Sequence, residues 1–270
     1  GKNANSLTTD TISQCGSEAK VISENETDCG GIVGKMGGDI TNCWFAGTIN
    51  ASRTTGGIVG STEAGDYGFV LNSSYEGGKI SIVVGKDKKR DRQGTLAGYI
   101  SNIKNTFKRK TSISGCQVYN DTTSSLDSKK YIFPLVGYNQ NSNIVTNGRT
   151  HTDSVVRSGY VARILNGGDG KTEKYGSIWG QEIGVDAHPV FITTDNAVYK
   201  LVLMDGTTEV RNGYVNSKKL NLPEPTKNGY KFVGWTNKDS SVTYSSTSVI
   251  TTDDTLYARW KKVHVITLDN

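Results

Sequence analysis

One short pattern recurs through the first half of the chain and limits the folds that the chain can adopt. The pattern opens with an apolar step that ends in glycine, Ile32-Val33-Gly34, and continues through Ile40 to Asn42-Cys43. One such unit cannot bury its apolar side chains alone, so its recurrence predicts stacked units that share one core. The step returns at Ile58-Val59-Gly60, Leu96-Ala97-Gly98 and Leu135-Val136-Gly137, and the second part returns at Val70 with Asn72-Ser73, at Ile113 with Gly115-Cys116, and more weakly at Ile12 with Gln14-Cys15.

The composition favours short strands over long helices. The chain has 32 glycines among 270 residues, and hydrophobic residues make up 34%, which is low for a compact enzyme. No apolar run approaches the roughly 20 residues that span a membrane, and nothing at the start resembles a signal peptide. Gly1 stands where a methionine is expected. We therefore interpret the chain as an excised fragment, whose missing targeting signals say nothing about its location.

Residues 1–150 are predicted to form an all-β solenoid. The units at 30–47 and 56–77 match a GGLVG step followed by I-x-N-[CS]-[YF]-x-G, and the units at 95–120 and 134–147 match more loosely. This half resembles the GLUG-type repeats of bacterial surface proteins. The resemblance implies a right-handed parallel β-helix or a closely related solenoid.

Residues 151–196 are predicted to form a helical cap and a connecting segment. Asp153 or Ser154 is placed to cap one helix, which Asn166-Gly167-Gly168 would end. The helix and the following Trp179 segment resemble the sequence that often follows GLUG arrays, and they suit the exposed end of a stack. The alternative interpretation is a polar site, formed by Gln181, Asp186 and His188.

Residues 197–262 are predicted to form a separate module. The segments Leu222-Pro223-Glu224-Pro225-Thr226, Gly229-Tyr230-Lys231-Phe232, Gly234-Trp235 and Leu256-Tyr257-Ala258-Arg259-Trp260 resemble the Listeria–Bacteroides repeat, the B-repeat type of internalins. The resemblance implies a small β-grasp-like (ubiquitin-like) fold with Trp235 and Trp260 in or beside its core. Asp205-Gly206 is predicted to form a hairpin turn. Residues 263–270 resemble the start of a further, truncated repeat.

The cysteines leave two alternatives. Cys15, Cys43 and Cys116 hold equivalent places in their units, so stacking would place them in one column. Neighbouring strands lie about 4.8 Å apart, which a disulfide can bridge. The other alternative is a ladder of buried thiols. The sequence leaves the redox state of these three and of Cys29 open, and the absence of a CxxC spacing argues against zinc.

We expect neither enzymatic activity nor a cofactor or metal. The three histidines, His151, His188 and His264, are scattered over different regions, and no nucleophile or phosphate-loop motif is present. Because parallel β-helices can be polysaccharide lyases or hydrolases, the carboxylates near predicted loops are also considered. These are Asp66, Asp87, Asp91 and Asp121, and each lies among turn residues or beside basic ones.

Two basic runs, at 86–92 and 104–110, concentrate positive charge on either side of the Leu96-Ala97-Gly98 step. A patch formed by both runs would attract polyanions, such as host or cell-wall glycans or teichoic acid. Nucleic acid is not expected, because Phe107 is the one ring available for stacking. The alternative is a pair of solvated loops. The candidate residues are Lys86, Lys88, Lys89, Arg90, Arg92, Lys104, Lys108, Arg109 and Lys110.

Together these features predict a non-catalytic, monomeric segment of a secreted or cell-surface bacterial protein. The segment would act as an adhesin-like or spacer body, carried on a stalk of repeats and not inserted into a membrane. The alternatives are a carbohydrate-active β-helix, an accessory domain of a surface peptidase, and a purely architectural segment without a ligand.

Overall fold

The protein is described by a computed structural model. The structure describes residues 11–23, 28–36, 39–51, 54–62, 70–75, 80–82, 92–94, 96–100, 112–114, 117–119, 136–139, 145–146, 149–168 and 177–263. The fold is mostly β with few helices. The described helices are α1 (Asp153–Arg157) and α2 (Tyr160–Leu165).

The described strands of the first half are short. In chain order they are β1 (Thr11–Ser13), β2 (Gly16–Ser17), β3 (Lys20–Ser23), β4 (Asp28–Gly30), β5 (Val33–Met36), β6 (Asp39–Phe45), β7 (Thr48–Ala51), β8 (Thr54–Gly56), β9 (Val59–Thr62), β10 (Val70–Tyr75), β11 (Ile80–Ile82), β12 (Arg92–Gly94), β13 (Ala97–Ile100), β14 (Ser112–Ser114), β15 (Gln117–Tyr119), β16 (Val136–Asn139), β17 (Val145–Thr146) and β18 (Arg149–His151).

These strands form four sheets, and every pair in them is parallel. One sheet has the order β1-β6-β10-β14-β17, with β2 on β6, β15 on β10 and β18 on β15. The others have the orders β3-β7-β11, β4-β8-β12 and β5-β9-β13-β16. Each strand therefore pairs with the corresponding strand of the next repeat unit.

The register confirms the predicted equivalence of the four apolar steps. Val33 pairs with Val59, Val59 with Ala97, and Ala97 with Val136. The backbone continues this ladder through the corners, because Ile58 N donates to Leu96 O at 3.0 Å. The first three steps thus lie directly beside one another, and the backbone of the fourth continues the ladder.

The predicted equivalence of Val70 with Ile40 is wrong by one residue. Leu71, rather than Val70, pairs with Ile40 and also with Ile113. Asn42 has a positive φ of 52° and adds one residue to β6 before the pairing resumes. This bulge shifts the register of the preceding residues.

One apolar core lies between these sheets. Its most buried side chains come from the repeat positions, and Ile32 and Val33 pack against them. The fully buried members are Ile40, Cys43, Phe45, Ile49, Ala51, Ile58, Val59, Leu96 and Ala97. Cys29 and Cys43 are buried and Cys15 is exposed, so the cysteines do not form a uniformly buried ladder. Cys116 lies outside the described residues.

The glycines that end the first three steps lie where two sheets touch through their backbones. A Cβ added to Gly60 would lie 2.6 Å from Cys29 N in the facing strand β4 and 2.5 Å from Gly34 O in its own sheet. A Cβ on Gly98 would lie 2.7 Å from Thr55 N in the facing strand β8. Side chains cannot fit at these positions, which explains why the step ends in glycine.

The helical region contains two helices rather than the single helix predicted. Gly159 has a φ of +86°, which interrupts the helical backbone between α1 and α2. The N-cap of α1 is Thr152 rather than Asp153 or Ser154. The predicted end of the helical region is confirmed, because Gly168 N donates to Arg163 O just after α2. A small antiparallel pair follows, β19 (Trp179–Gly180) with β20 (Val190–Phe191).

The remaining strands form a five-stranded sheet of order β22-β21-β25-β23-β24. The pair formed by β21 and the central strand β25 is parallel, and the other pairs are antiparallel. Asp205 pairs with Thr208, which confirms the predicted hairpin turn. Trp235 lies in the core, while the half-buried Trp260 contacts Phe232. The strands are β21 (Val198–Asp205), β22 (Thr208–Asn216), β23 (Tyr230–Thr236), β24 (Thr243–Tyr244) and β25 (Asp254–Lys262).

Candidate functional site

The described residues of the connecting segment, 151–168 and 177–196, pack against the outer side of β6. Ile40, Cys43 and Phe45 of this strand face the core, and Trp44 belongs to the cluster formed by the connecting segment. Trp179 Nε1 donates to Asn42 Oδ1 at 3.3 Å. Since β6 lies inside its sheet, these contacts lie along the side of the stack. A further role in covering the end of the stack stays a prediction.

His188 lies at the same junction. Its ring is 4.8 Å from the ring of Trp44, and its Nε2 is 3.7 Å from Glu18 Oε1. Its Nδ1 lies 2.9 Å from Pro189 O, so this nitrogen carries the hydrogen and donates. The histidine therefore packs against Trp44 of β6, and its Nε2 faces the turn between β2 and β3.

The three residues of the predicted polar site bind mainly their own segment. Gln181 Nε2 donates to Asp186 O at 3.2 Å, and Asp186 Oδ2 accepts from Glu182 N at 2.6 Å. These bonds, like that of His188 to Pro189 O, are made with backbone atoms. The arrangement folds the segment on itself and favours a structural role over a polar site.

Three asparagines hold the same segment in place, and of these only Asn166 was named from the sequence, as part of a helix end. Asn166 Oδ1 accepts from Trp179 N at 3.0 Å, and its Nδ2 donates to Trp179 O at 2.7 Å. Asn196 Oδ1 accepts from Thr193 N at 2.6 Å. Asn216 Nδ2 donates to Gln181 O at 2.7 Å. The position of Asn166 before two glycines is a usable signal for a helix end, but the sequence carries no signal for Asn216.

Contacts also join α2 to the five-stranded sheet. Arg163 forms a 2.7 Å ion pair with Asp253, whose other carboxylate oxygen accepts from Lys200 N at 2.9 Å. Tyr160 packs against Tyr214 of β22 with ring centroids 5.7 Å apart. Burial raises the pKa of the Tyr214 hydroxyl, so this ring stays neutral at physiological pH. The connecting segment thus contacts both the parallel sheets and the C-terminal sheet.

The predicted basic patch stays a prediction. Arg92 lies in β12, where its backbone pairs with Thr54. The other candidates lie outside the described residues, and so do the carboxylates considered for catalysis. The former are Lys86, Lys88, Lys89, Arg90, Lys104, Lys108, Arg109 and Lys110, and the latter are Asp66, Asp87, Asp91 and Asp121.

Two open depressions lie on the C-terminal sheet. The larger, of about 900 Å³, is lined by Lys200, Asp253, Asp254 and Tyr257, among others. Asp254 Oδ2 accepts from Tyr244 OH at 3.0 Å, so both aspartates take part in the hydrogen bonds that hold the sheet together. This pairing favours a structural role for these carboxylates.

The smaller depression, of about 480 Å³, is lined by Lys227, Tyr230 and Phe232, among others. Lys227 Nζ lies 5.4 Å from the ring centroids of both Tyr230 and Trp260. Asp205 accepts from Trp260 Nε1 at 2.9 Å and lies 3.7 Å from Lys227 Nζ. Lys227 therefore packs between the rings of Tyr230 and Trp260 at one end of the sheet.

Among the described residues, no set of three or more His, Cys, Asp and Glu side chains is placed to hold a metal ion. Within the same part of the chain, neither helix has the length and apolar character needed to cross a bilayer.

The sequence of the five-stranded sheet matches a known repeat domain. A family model described as the Listeria-Bacteroides repeat domain matches residues 202–259, inside the module predicted at 197–262. This domain is typical of bacterial surface proteins. Comparisons with curated proteins and with solved structures found no match. The resemblance of the first half to GLUG-type repeats stays a prediction.

Proposed function

We propose that this chain is a non-catalytic segment of a bacterial cell-surface or secreted protein. The match of residues 202–259 to the Listeria-Bacteroides repeat domain carries this proposal. Residues 1–150 are the body, a β-solenoid of GLUG type. Residues 151–196 join this body to a β-grasp-like module at 197–262.

The parallel register supports the solenoid. Equivalent strands of successive units pair along four separate sheets, and one core runs between those sheets. A solenoid built in this way is stabilised mainly by contacts between neighbouring units, and it presents a long lateral surface. Such a body suits a spacer or an adhesin better than a flexible linker does.

The connecting segment supports a fixed relation between body and module. Its contacts reach Asn42 in β6 on one side and Asp253 and Asn216 of the module on the other. In an adhesin or spacer, such a joint holds the lateral face at a set angle to the stalk. The ligand of this face is proposed to be a polyanionic glycan, bound by the two basic runs.

Antibodies raised against the purified chain test the surface location. They should label intact cells of the bacterium that encodes it, and brief protease treatment of those cells should remove the signal. An antibody against a cytoplasmic protein of the same cells, which should label only after permeabilisation, is the control. Labelling of this chain only after permeabilisation would refute the proposal.

A further inference from the structure

The first two repeat units place two cysteines side by side. Ser13 pairs with Thr41, and Gly16 pairs with Trp44. The two residues between these pairs are Gln14-Cys15 in one unit and Asn42-Cys43 in the other. Gln14 and Asn42 share a positive φ, of 53° and 52°. Both units therefore carry the same bulge, which sets Cys15 directly opposite Cys43.

The side chains of Cys15 and Cys43 also make equivalent contacts. Cys15 Sγ donates to Ser13 O at 3.5 Å, and Cys43 Sγ donates to the equivalent Thr41 O at 3.4 Å. Cys43 Sγ also lies 3.8 Å from Ile12 O, on the strand that precedes Cys15. Neighbouring strands are about 4.8 Å apart, within the 4.4–6.8 Å Cα separation of disulfides.

We propose that Cys15 and Cys43 form a disulfide that ties the first repeat unit to the second. Cys15 is exposed and Cys43 is fully buried, so a soluble oxidant reaches Cys15 first. All three residues of β1 are exposed, and Ile12 retains 38% of its accessible surface. A unit with so little burial opens easily. The disulfide holds this unit against β6, and it does not depend on the proposed surface location.

The reaction takes two thiol–disulfide exchanges with a low-molecular-weight disulfide, such as oxidised glutathione. The Cys15 thiolate attacks one glutathione sulfur, which forms a mixed disulfide and releases one glutathione thiolate. Cys43 then loses its proton and attacks Cys15 Sγ, which releases the second glutathione. Two cysteines are oxidised and one glutathione disulfide is reduced. Burial raises the pKa of Cys43 to about 11, which keeps this thiol protonated near neutral pH and slows the second step.

Cys29 provides an internal control. It is buried in β4, and its partner in the neighbouring strand β8 is Thr55, which has no thiol. The four cysteines lie on four different tryptic peptides, so their pairing can be read directly. Cys15 lies on 3–20, Cys29 on 21–35, Cys43 on 36–53 and Cys116 on 111–129.

The test treats the reduced, folded chain with oxidised glutathione, quenches with acid, alkylates in denaturant and maps the tryptic peptides. Peptides 3–20 and 36–53 should be recovered joined and two hydrogens lighter, after a transient glutathione adduct on 3–20. The melting temperature should rise by about 5–10 °C and return to its reduced value with dithiothreitol. Cys15→Ser should abolish both effects, and Cys29→Ser should leave the joined peptides unchanged.

Two results would overturn the proposal. One is a stable glutathione adduct on 3–20 with an alkylated Cys43. The other is a cross-link that joins either peptide to 21–35 or to 111–129. Because the peptide map is made on the unmodified sequence, neither result depends on whether a variant folds.

Discussion

Replacement of Gly60 by alanine tests the backbone contact between facing sheets. The added methyl group would lie 2.5 Å from Gly34 O and 2.6 Å from Cys29 N, whereas ordinary contacts begin at 3.4 Å. The facing strand β4 would have to move away by up to 0.8 Å, the difference between 3.4 and 2.6 Å, and Gly34 O within the sheet by up to 0.9 Å. Both obstacles are backbone atoms, so no side chain can rotate away.

The expected loss of stability is about 3 kcal/mol, at the upper end of the range for overpacked sites. For a chain of this size, that corresponds to a fall in melting temperature of about 6–12 °C. Differential scanning calorimetry measures the fall, and urea unfolding followed by circular dichroism gives the free energy. Gly98→Ala should behave similarly with a smaller effect, because its closest contact is 2.7 Å.

Gly213→Ala is the matched control. Gly213 also lies in a strand, but its nearest atom is Arg211 Nε at 3.9 Å, and its φ is not positive. This variant should be neutral or stabilised by up to about 1 kcal/mol, because alanine lowers the entropy of the unfolded chain. If the melting temperature of Gly60→Ala lies within about 2 °C of that of the wild type, the inference that the facing backbones leave no room for a methyl group is wrong.

Three further predictions concern the joint and the proposed ligand. Asn216→Ala should lower the free energy of unfolding by about 2–3 kcal/mol, because Ile183 N and the carbonyl groups of Gln181 and Ala197 lose a partner. The control, Asn212→Ala at an exposed position, should change the free energy of unfolding by less than about 0.5 kcal/mol. Equal values for the two variants would contradict the role of Asn216. Trp179→Phe should lose about 1–2 kcal/mol in urea unfolding, since phenylalanine cannot donate to Asn42, and an unchanged midpoint would argue against this bond. Charge reversal in the basic runs should abolish salt-sensitive retention on heparin without a change in melting temperature, and equal retention of both proteins would remove the polyanion proposal. The reversed residues are Lys88, Lys89, Arg90, Lys108, Arg109 and Lys110, each changed to Glu.

The sequence predicted that the apolar steps of successive units lie beside one another, but it did not predict the register throughout. The apolar steps repeat with their glycines, and the steps pair as predicted from Val33 to Val136. Val70 was assigned one residue out of register, because the bulge at Asn42 depends on a backbone angle rather than on a side-chain pattern. The break at Gly159 was missed for a related reason, since apolar spacing continued across it.

The candidate site was less predictable, because its contacts join distant parts of the chain. Trp179 and Asn42 are separated by 137 residues, and Asn216 and Gln181 by 35. Local patterns carry no information about such pairs. The sequence did identify Trp179 as a packing residue, and it located the repeat domain, because there the aromatic and proline positions form a long and specific pattern.

The parallel pairing of β21 with β25 also bears on how the module responds to tension. The module begins with one of these strands and ends with the other, and they are aligned from Leu201 with Asp254 to Met204 with Tyr257. A pull on its two ends therefore slides the strands past each other, so that the hydrogen bonds between them are loaded together instead of opening one by one. A tether made of such modules would keep its length in flowing liquid until the load exceeded the strength of that whole ladder.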